Sequence, residues 1–237
     1  MDPRHIGFPG WYHLALFGLF IPWAAVRSRK KVAGGPLPPL VRHLPRVVAQ
    51  LAVLGGLSLL MGHLEWIPLF PREVPPLWTV GLGLALAVGA AAAMYPLWRR
   101  SVRERKRTTF LFMPRTAKER AWWIAVACAA GVSEEISWRG VQWVLLTRLL
   151  GNVWLAAALC VVMFAVAHAV QGGRSVSIIL AFATAFHALV ALSGSLYVAM
   201  AAHALYDVLA GLNYGRLGER LGYPRDPGEL VPPAPAV

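Results

Sequence analysis

The chain has 237 residues, 57% of them hydrophobic, a mean hydropathy of +0.55 and a formal net charge of +12. Charged residues make up only 14%, against about 25% in a typical soluble domain, which excludes an ordinary soluble fold. The basic residues fall between apolar runs and no basic, aromatic-interleaved module occurs, so the charge points to membrane topology and anionic lipid and not to nucleic acid.

Seven apolar runs reach the length that crosses a bilayer, about 20 residues. They cover approximately 11–27, 47–70, 76–98, 121–149, 152–170, 175–193 and 196–213. The pattern predicts an all-α polytopic transmembrane bundle of about seven spans, although the short break Ser193-Gly194-Ser195 leaves the division of the last two open. In the first run the positive cluster Arg27, Arg29, Lys30 and Lys31 follows the apolar stretch. That order disfavours a cleaved signal peptide and favours a first helix with its N-terminus outside. On this topology one side receives Arg4, Arg72 and Arg148, and the other receives 19 of the 23 Lys and Arg residues. So strong a bias places the basic side and the C-terminus in the cytoplasm. Trp11, Trp23, Trp66, Trp78, Trp98, Trp122, Trp123 and Trp154 fall near span ends, as interfacial aromatics do. Cys128 and Cys160 sit in apolar runs and read as small buried hydrophobes, not as a disulfide or metal site. Residues 1–114 read as an N-terminal scaffold of about three spans, 115–213 as the functional bundle, and 214–237 as a cytoplasmic Pro-rich tail, disordered after Gly222.

The polar residues inside the spans carry the chemistry. Of 11 acidic residues, Glu134, Glu135 and Asp207 alone lie well within spans, and His168, His187 and His203 lie in the last four. Intramembrane ionisable groups are costly and mark function. Glu135 and Arg139 are i, i+4 neighbours that can pair on one face, as are His203 and Asp207, and Phe164 and His168 share a third face. Glu134 points about 100° away from Glu135 on an α-helix. The turn Gly151-Asn152 lies 17 residues after Glu134 and 17 before His168. Both therefore sit about 25 Å from that turn at helical rise, at matching depth and able to face each other. His203 and Asp207 lie roughly 12 and 18 Å down from the outer surface, with His203 the shallower. Two adjacent glutamates in a low-dielectric site cannot both ionise cheaply, so Arg139 holds one as a carboxylate and leaves the other free to exchange a proton. Such a carboxylate suits a general base for water, and an imidazolium suits an oxyanion. No Ser or Cys pairs with a base. His187 reads as an interhelical bond, Gly55-Gly56 and the Ala-rich run 90–93 as close-packing surfaces, and Gln171-Gly172-Gly173-Arg174 as a tight turn.

The ordered set Glu134-Glu135-x-x-x-Arg139, Phe164-x-x-x-His168 and His203-x-x-x-Asp207 over residues 115–213 resembles the CPBP family, the CAAX proteases and bacteriocin-processing enzymes also called Abi. Its eukaryotic member is the Ras-converting endoprotease. The resemblance implies a glutamic-type intramembrane endopeptidase without cofactor or metal. It implies Glu134 as the base that activates water with His168 assisting, Glu135 and Arg139 supporting the site, Phe164 packing it, and His203 with Asp207 at the oxyanion. The last position is often Asn in that family. An ionised Asp cannot donate to an oxyanion, so Asp207 is either protonated or acts by orienting and charging His203.

Two alternatives stand beside this reading. A zinc protease could use Glu134, His168 and His203 as two imidazoles and a carboxylate, although no His-Glu-x-x-His occurs. A non-catalytic immunity or scaffold protein could retain the same residues. The Ala-, Gly-, Arg- and Pro-rich composition suggests a high-GC bacterium, hence an inner-membrane protein whose partners are the bilayer and a membrane-anchored protein or peptide substrate. A myxosortase-type member, processing C-terminal sorting signals, is one subgroup the resemblance allows.

Overall fold

The computed structural model describes residues 5–71 and 73–230. Seven helical rods occupy the seven apolar runs. The first comprises α1 (Phe8–Ala15), a π-helical turn over Leu16–Phe20, and α2 (Ile21–Gly34). Then come α3 (Leu40–Leu64) and α4 (Leu77–Arg103). The fourth rod joins α5 (Ala117–Glu134) through a π-helical stretch, Glu135–Gln142, to α6 (Trp143–Leu150). The remainder are α7 (Val153–Ala167), α8 (Gly173–Ser193) and α9 (Leu196–Arg220). No strand occurs among the described residues.

Local chemistry sets the helix ends. A capping box starts α5, in which the Thr116 hydroxyl accepts from the Glu119 amide and the Glu119 carboxylate accepts from the Thr116 amide. Gly151, at φ 66°, ends α6 in the left-handed conformation, and the Asn152 side chain accepts from the amides of Trp154 and Leu155 to open α7. The expected turn at Gly151-Asn152 is therefore present. Gly194, at φ 63°, ends α8, and Ser195 caps α9, which divides the last two rods at the short break noted in the sequence.

Helices α3, α4 and α8 are long and apolar enough to cross a membrane by length and composition. The first and fourth rods are interrupted by π turns, α7 has only 15 residues, and α9 gives up hydropathy to His203, Asp207 and Asn213. The outer surface carries large apolar side chains, among them Val53, Leu60, Leu84 and Val88. Such a surface is a liability in water and ordinary against lipid.

Two sets of contacts define the ends of the bundle. At one end the Glu65 carboxylate accepts from the Gly10 amide at 2.8 Å and pairs with Arg148 at 3.3 Å. Arg148 is the one described basic residue of this end, because Arg4 and Arg72 lie outside the described residues. At the other end Arg107 donates to the Gly35 carbonyl, Arg115 donates to the carbonyls of Tyr223 and Pro224, and the Tyr223 hydroxyl donates to the Lys106 carbonyl at 2.8 Å. Burial pushes the Tyr223 phenol up to about 12, so it stays a donor. The segment after Gly222 is thus tied down as far as Leu230, where disorder was expected: Tyr223 and Leu230 join the apolar cluster of Leu44, Trp98, Phe110 and Met113. Residues 231–237 lie outside the described residues.

Several side chains differ from expectation. Trp98 and Trp123 are core residues at 3% and 6% exposure, whereas Trp11, Trp23, Trp66, Trp78 and Trp154 are exposed as interfacial residues should be. Cys128 is exposed on the bundle surface; Cys160 is buried and donates its S–H to the Trp138 carbonyl at 3.1 Å. Gly55 packs against Ser133, but Gly56 faces open space. A further feature is absent from the sequence reading. His13 Nδ1 meets Gln142 Oε1 at 3.0 Å, His13 Nε2 meets Ser58 Oγ at 3.1 Å, and Ser58 Oγ meets Ser137 Oγ at 2.8 Å. Ser137 in turn donates to the Ser133 carbonyl at 2.7 Å. This buried chain ties α1 and α3 to the π-helical stretch. Replacing His13 with Phe leaves the Gln142 side-chain carbonyl without its partner and takes one of two partners from Ser58, so His13→Phe is expected to cost about 1–3 kcal/mol. Thermal unfolding of the detergent-solubilised chain measures it, and an unchanged midpoint contradicts the network's weight.

Candidate active site

Four segments bring the polar residues together. The α5 terminus supplies Glu134, the π-helical stretch supplies Glu135 and Arg139, the end of α7 supplies Phe164 and His168, and α9 supplies His203 and Asp207. A π-helical stretch inserts an extra residue into the helix and recurs at functional sites. Here all eight of its residues are buried. Close approach of α5 and α9 depends on Gly131, where a Cβ would fall 2.7 Å from the Met200 carbonyl oxygen. Small residues allow such contact between membrane helices, where lipid supplies no hydrophobic drive.

Glu135 is the hub. Its Oε1 accepts from Arg139 Nη1 at 3.0 Å and from His203 Nδ1 at 2.8 Å, and the ion pair has 0% exposure on both side chains. The i, i+4 pairing expected on an α-helix is therefore made, though on a π-helical backbone. The Arg139 guanidinium also lies 4.3 Å from the Phe164 ring centroid, a cation–π contact that offsets part of its desolvation. Phe164 packs edge-on against Trp138 at 5.5 Å and lies 4.6 Å from the His168 ring. It does more than fill space: its carbonyl accepts from His168 Nδ1 at 2.8 Å. The Nδ1 proton is thereby committed to the backbone, and in the neutral ring Nε2 is left as an acceptor.

Glu134 faces both imidazoles. Its Oε2 is 3.8 Å from His168 Nε2 and 3.9 Å from His203 Nε2. These separations are too long for direct hydrogen bonds and suit a shared oxygen between the groups. The depth match of Glu134 with His168 is realised. His203, placed too shallow by helix rise alone, reaches the same level and turns its other nitrogen to Glu135. Asp207 Oδ2 is 3.6 Å from His203 Nε2, and the Asp207 carbonyl accepts from Trp123 Nε1 at 2.8 Å. His187 does not make the expected interhelical bond. It donates from Nδ1 to the Ala183 carbonyl in its own helix at 3.0 Å and packs edge-on against Trp143 at 5.0 Å.

A cavity of about 740 Å³ adjoins the cluster. Glu134, His168, His203 and Asp207 line it, as do Arg100, Lys106 and Arg174 from the basic end, with walls that include Ile178 and Phe182. Its size is that of a small-molecule or peptide cleft. The turn through Gly172, at φ 103°, forms part of the rim together with Gly173 and Arg174. Among the described residues no group of three His, Cys, Asp or Glu side chains is arranged to hold a metal ion.

A multi-pass helical membrane protein with carboxylates and imidazoles converging on a cavity inside its bundle defines the class. Residues 116–209 match the family model described as type II CAAX prenyl endopeptidase Rce1-like, so this segment of the chain is similar to the CPBP/Rce1-like family. That family is one of membrane proteases, and it implies a bilayer and a membrane-associated substrate. No curated protein and no solved structure matches the chain.

Removing Arg139 leaves Glu135 charged, buried and held only by His203. Arg139→Met is expected to destabilise the protein by about 3–5 kcal/mol. Glu135→Gln added to Arg139→Met should recover most of that loss, without restoring activity. Denaturation of wild type and the two variants in detergent checks the first part; an Arg139→Met protein as stable as wild type contradicts it.

Proposed function

We propose that the chain is a glutamate-dependent intramembrane endopeptidase that hydrolyses a membrane-anchored protein or peptide from the cytoplasmic side. The observation that carries this reading is the convergence of Glu134, His168 and His203 at 3.8–3.9 Å on one cavity. Glu134 takes a proton from water, whose oxygen bonds to the scissile carbonyl carbon. His168, its Nδ1–H fixed on the Phe164 carbonyl, positions that water through Nε2. The carbonyl electron pair moves onto oxygen, which accepts from Nε2–H of a His203 imidazolium. Collapse of the tetrahedral species breaks the C–N bond, and the proton on Glu134 passes to the leaving amine. General base catalysis of this kind is worth about 10²–10⁴-fold, and removal of one oxyanion donor costs about 10²–10³-fold.

In this scheme the neighbouring glutamates have different tasks. Glu135, paired with Arg139, stays a carboxylate throughout; it holds His203 in place and lies against the charge of its ring. Asp207 then need not donate to the oxyanion. It acts on His203 from the second side, the orienting role left open by the sequence. The substrate's lipid-anchored or membrane-proximal part would lie along the apolar walls. The basic loops face the cytoplasm on the charge bias, in a bacterial inner membrane.

Comparison of membrane-derived peptides between cells carrying wild type and Glu134→Ala should reveal processed termini that vanish in the variant. His168→Ala should reproduce the loss, and a chelator should leave purified activity intact. Processing or immunity unchanged in both variants would sink the protease reading in favour of a non-catalytic membrane role, and chelator sensitivity would favour a metal enzyme.

A further inference from the structure

A second cavity, of about 130 Å³, lies against the same catalytic groups. Its walls are Phe17 and Ile21 from the first rod, Leu51 and Leu54 from α3, Ala167 at the end of α7, and Ser133, Glu134, Ser137, Trp138 and His168. Of these, only Leu51, Glu134 and His168 also line the large cavity. Glu134 and His168 thus stand in the partition, touching both spaces. A water needs about 10–15 Å³ of such volume and two to four polar partners. The small cavity has room for several, and it offers two hydroxyls, a carboxylate and an imidazole. The Ser137 hydroxyl is itself held by Ser58 at 2.8 Å, at the end of the chain that begins at His13.

We infer that this small cavity is a water store for hydrolysis, feeding Glu134 and His168 from the side opposite the substrate. The inference rests on Glu134 acting as the base. An intramembrane hydrolase meets a conflict: a peptide filling the large cavity displaces the water it must consume. Two compartments meeting at the base remove that conflict. Peptide occupies the wide, basic-rimmed cleft, and water stays behind the partition. Three of the residues that line the store and not the cleft, Phe17, Ile21 and Leu54, come from the scaffold rods outside the 116–209 family match, which gives those rods a part in the chemistry.

X-ray radiolytic labelling of the full chain in lipid nanodiscs tests this, because radicals formed from bound water mark the side chains beside it. Phe17 and Trp138 are 2% and 3% exposed, and Phe110, at 5%, is an equally buried comparator that lines neither cavity. Phe17 and Trp138 should be labelled well above Phe110 in wild type. Leu54→Trp, which fills the store from α3, should lower that labelling at least fivefold. It should also slow turnover of an internally quenched peptide held in the bilayer by one acyl chain at least tenfold, with KM unchanged. Ile21→Trp fills the store from the opposite wall and gives the same result if Leu54→Trp fails to fold. Labelling of Phe17 and Trp138 no greater than that of Phe110 overturns the inference. So does a filled variant that turns over at the wild-type rate or loses only substrate affinity. Cleavage that survives in Glu134→Gln instead overturns the base assignment, whatever the labelling shows.

Discussion

The structure depends on one buried ion pair. Glu135 and Arg139 are sealed from solvent on both sides, where a lone charge would be prohibitive and a paired one is only tolerable. Three features make it tolerable. The guanidinium lies over the Phe164 ring, the carboxylate takes a second donor from His203, and the π-helical stretch puts both residues on the inside. The pair therefore draws α5, α7 and α9 to one point. These are the helices that carry Glu134, His168 and His203. The support charge sets the geometry, and the groups proposed for catalysis follow from it.

The same logic separates the two neighbouring glutamates. Glu135 is fully enclosed and committed to fixed donors, whereas the Glu134 side chain keeps 20% exposure and has no partner closer than 3.8 Å. A group with firm partners is a scaffold, and a group with partners just out of reach can exchange a proton. His168 and His203 divide similarly. Each spends Nδ1 on a fixed acceptor, the Phe164 carbonyl or the Glu135 carboxylate, and turns Nε2 to Glu134. The Nδ1 contacts of the two imidazoles thus aim their Nε2 atoms into the reacting space.

Much of this was legible in the sequence. Apolar runs and basic loops gave seven rods and their ends, because a bilayer imposes length and a backbone without water imposes helix. The i, i+4 spacing gave Glu135 with Arg139, and equal distance from Gly151 gave Glu134 with His168. The His203–Glu135 contact was hidden, because depth counting assumes uniform helical rise and upright helices, and the π-helical stretch breaks that assumption. The His13 network was hidden for a different reason. Its partners are 129 and 45 residues away in sequence, so no local spacing marks it, and Ser58 and Ser137 look like ordinary membrane-helix serines. The burial of Trp98 and Trp123 was missed because nearness to a span end does not tell lipid-facing from core-facing positions. The ordering of residues 223–230 depends on Arg115 and Lys106, far away in the chain, and composition alone cannot show it.

The central claim is that Glu134 moves the proton while Glu135 holds the framework. Single-turnover hydrolysis of a bilayer-anchored peptide, compared between wild type and Glu134→Gln in nanodiscs, tests it most directly. The account predicts that the chemical step slows by about 10²–10⁴-fold, with substrate affinity and thermal midpoint preserved. A Glu134→Gln protein that cleaves at the wild-type rate, or one that loses activity only because it unfolds or fails to bind, would contradict it.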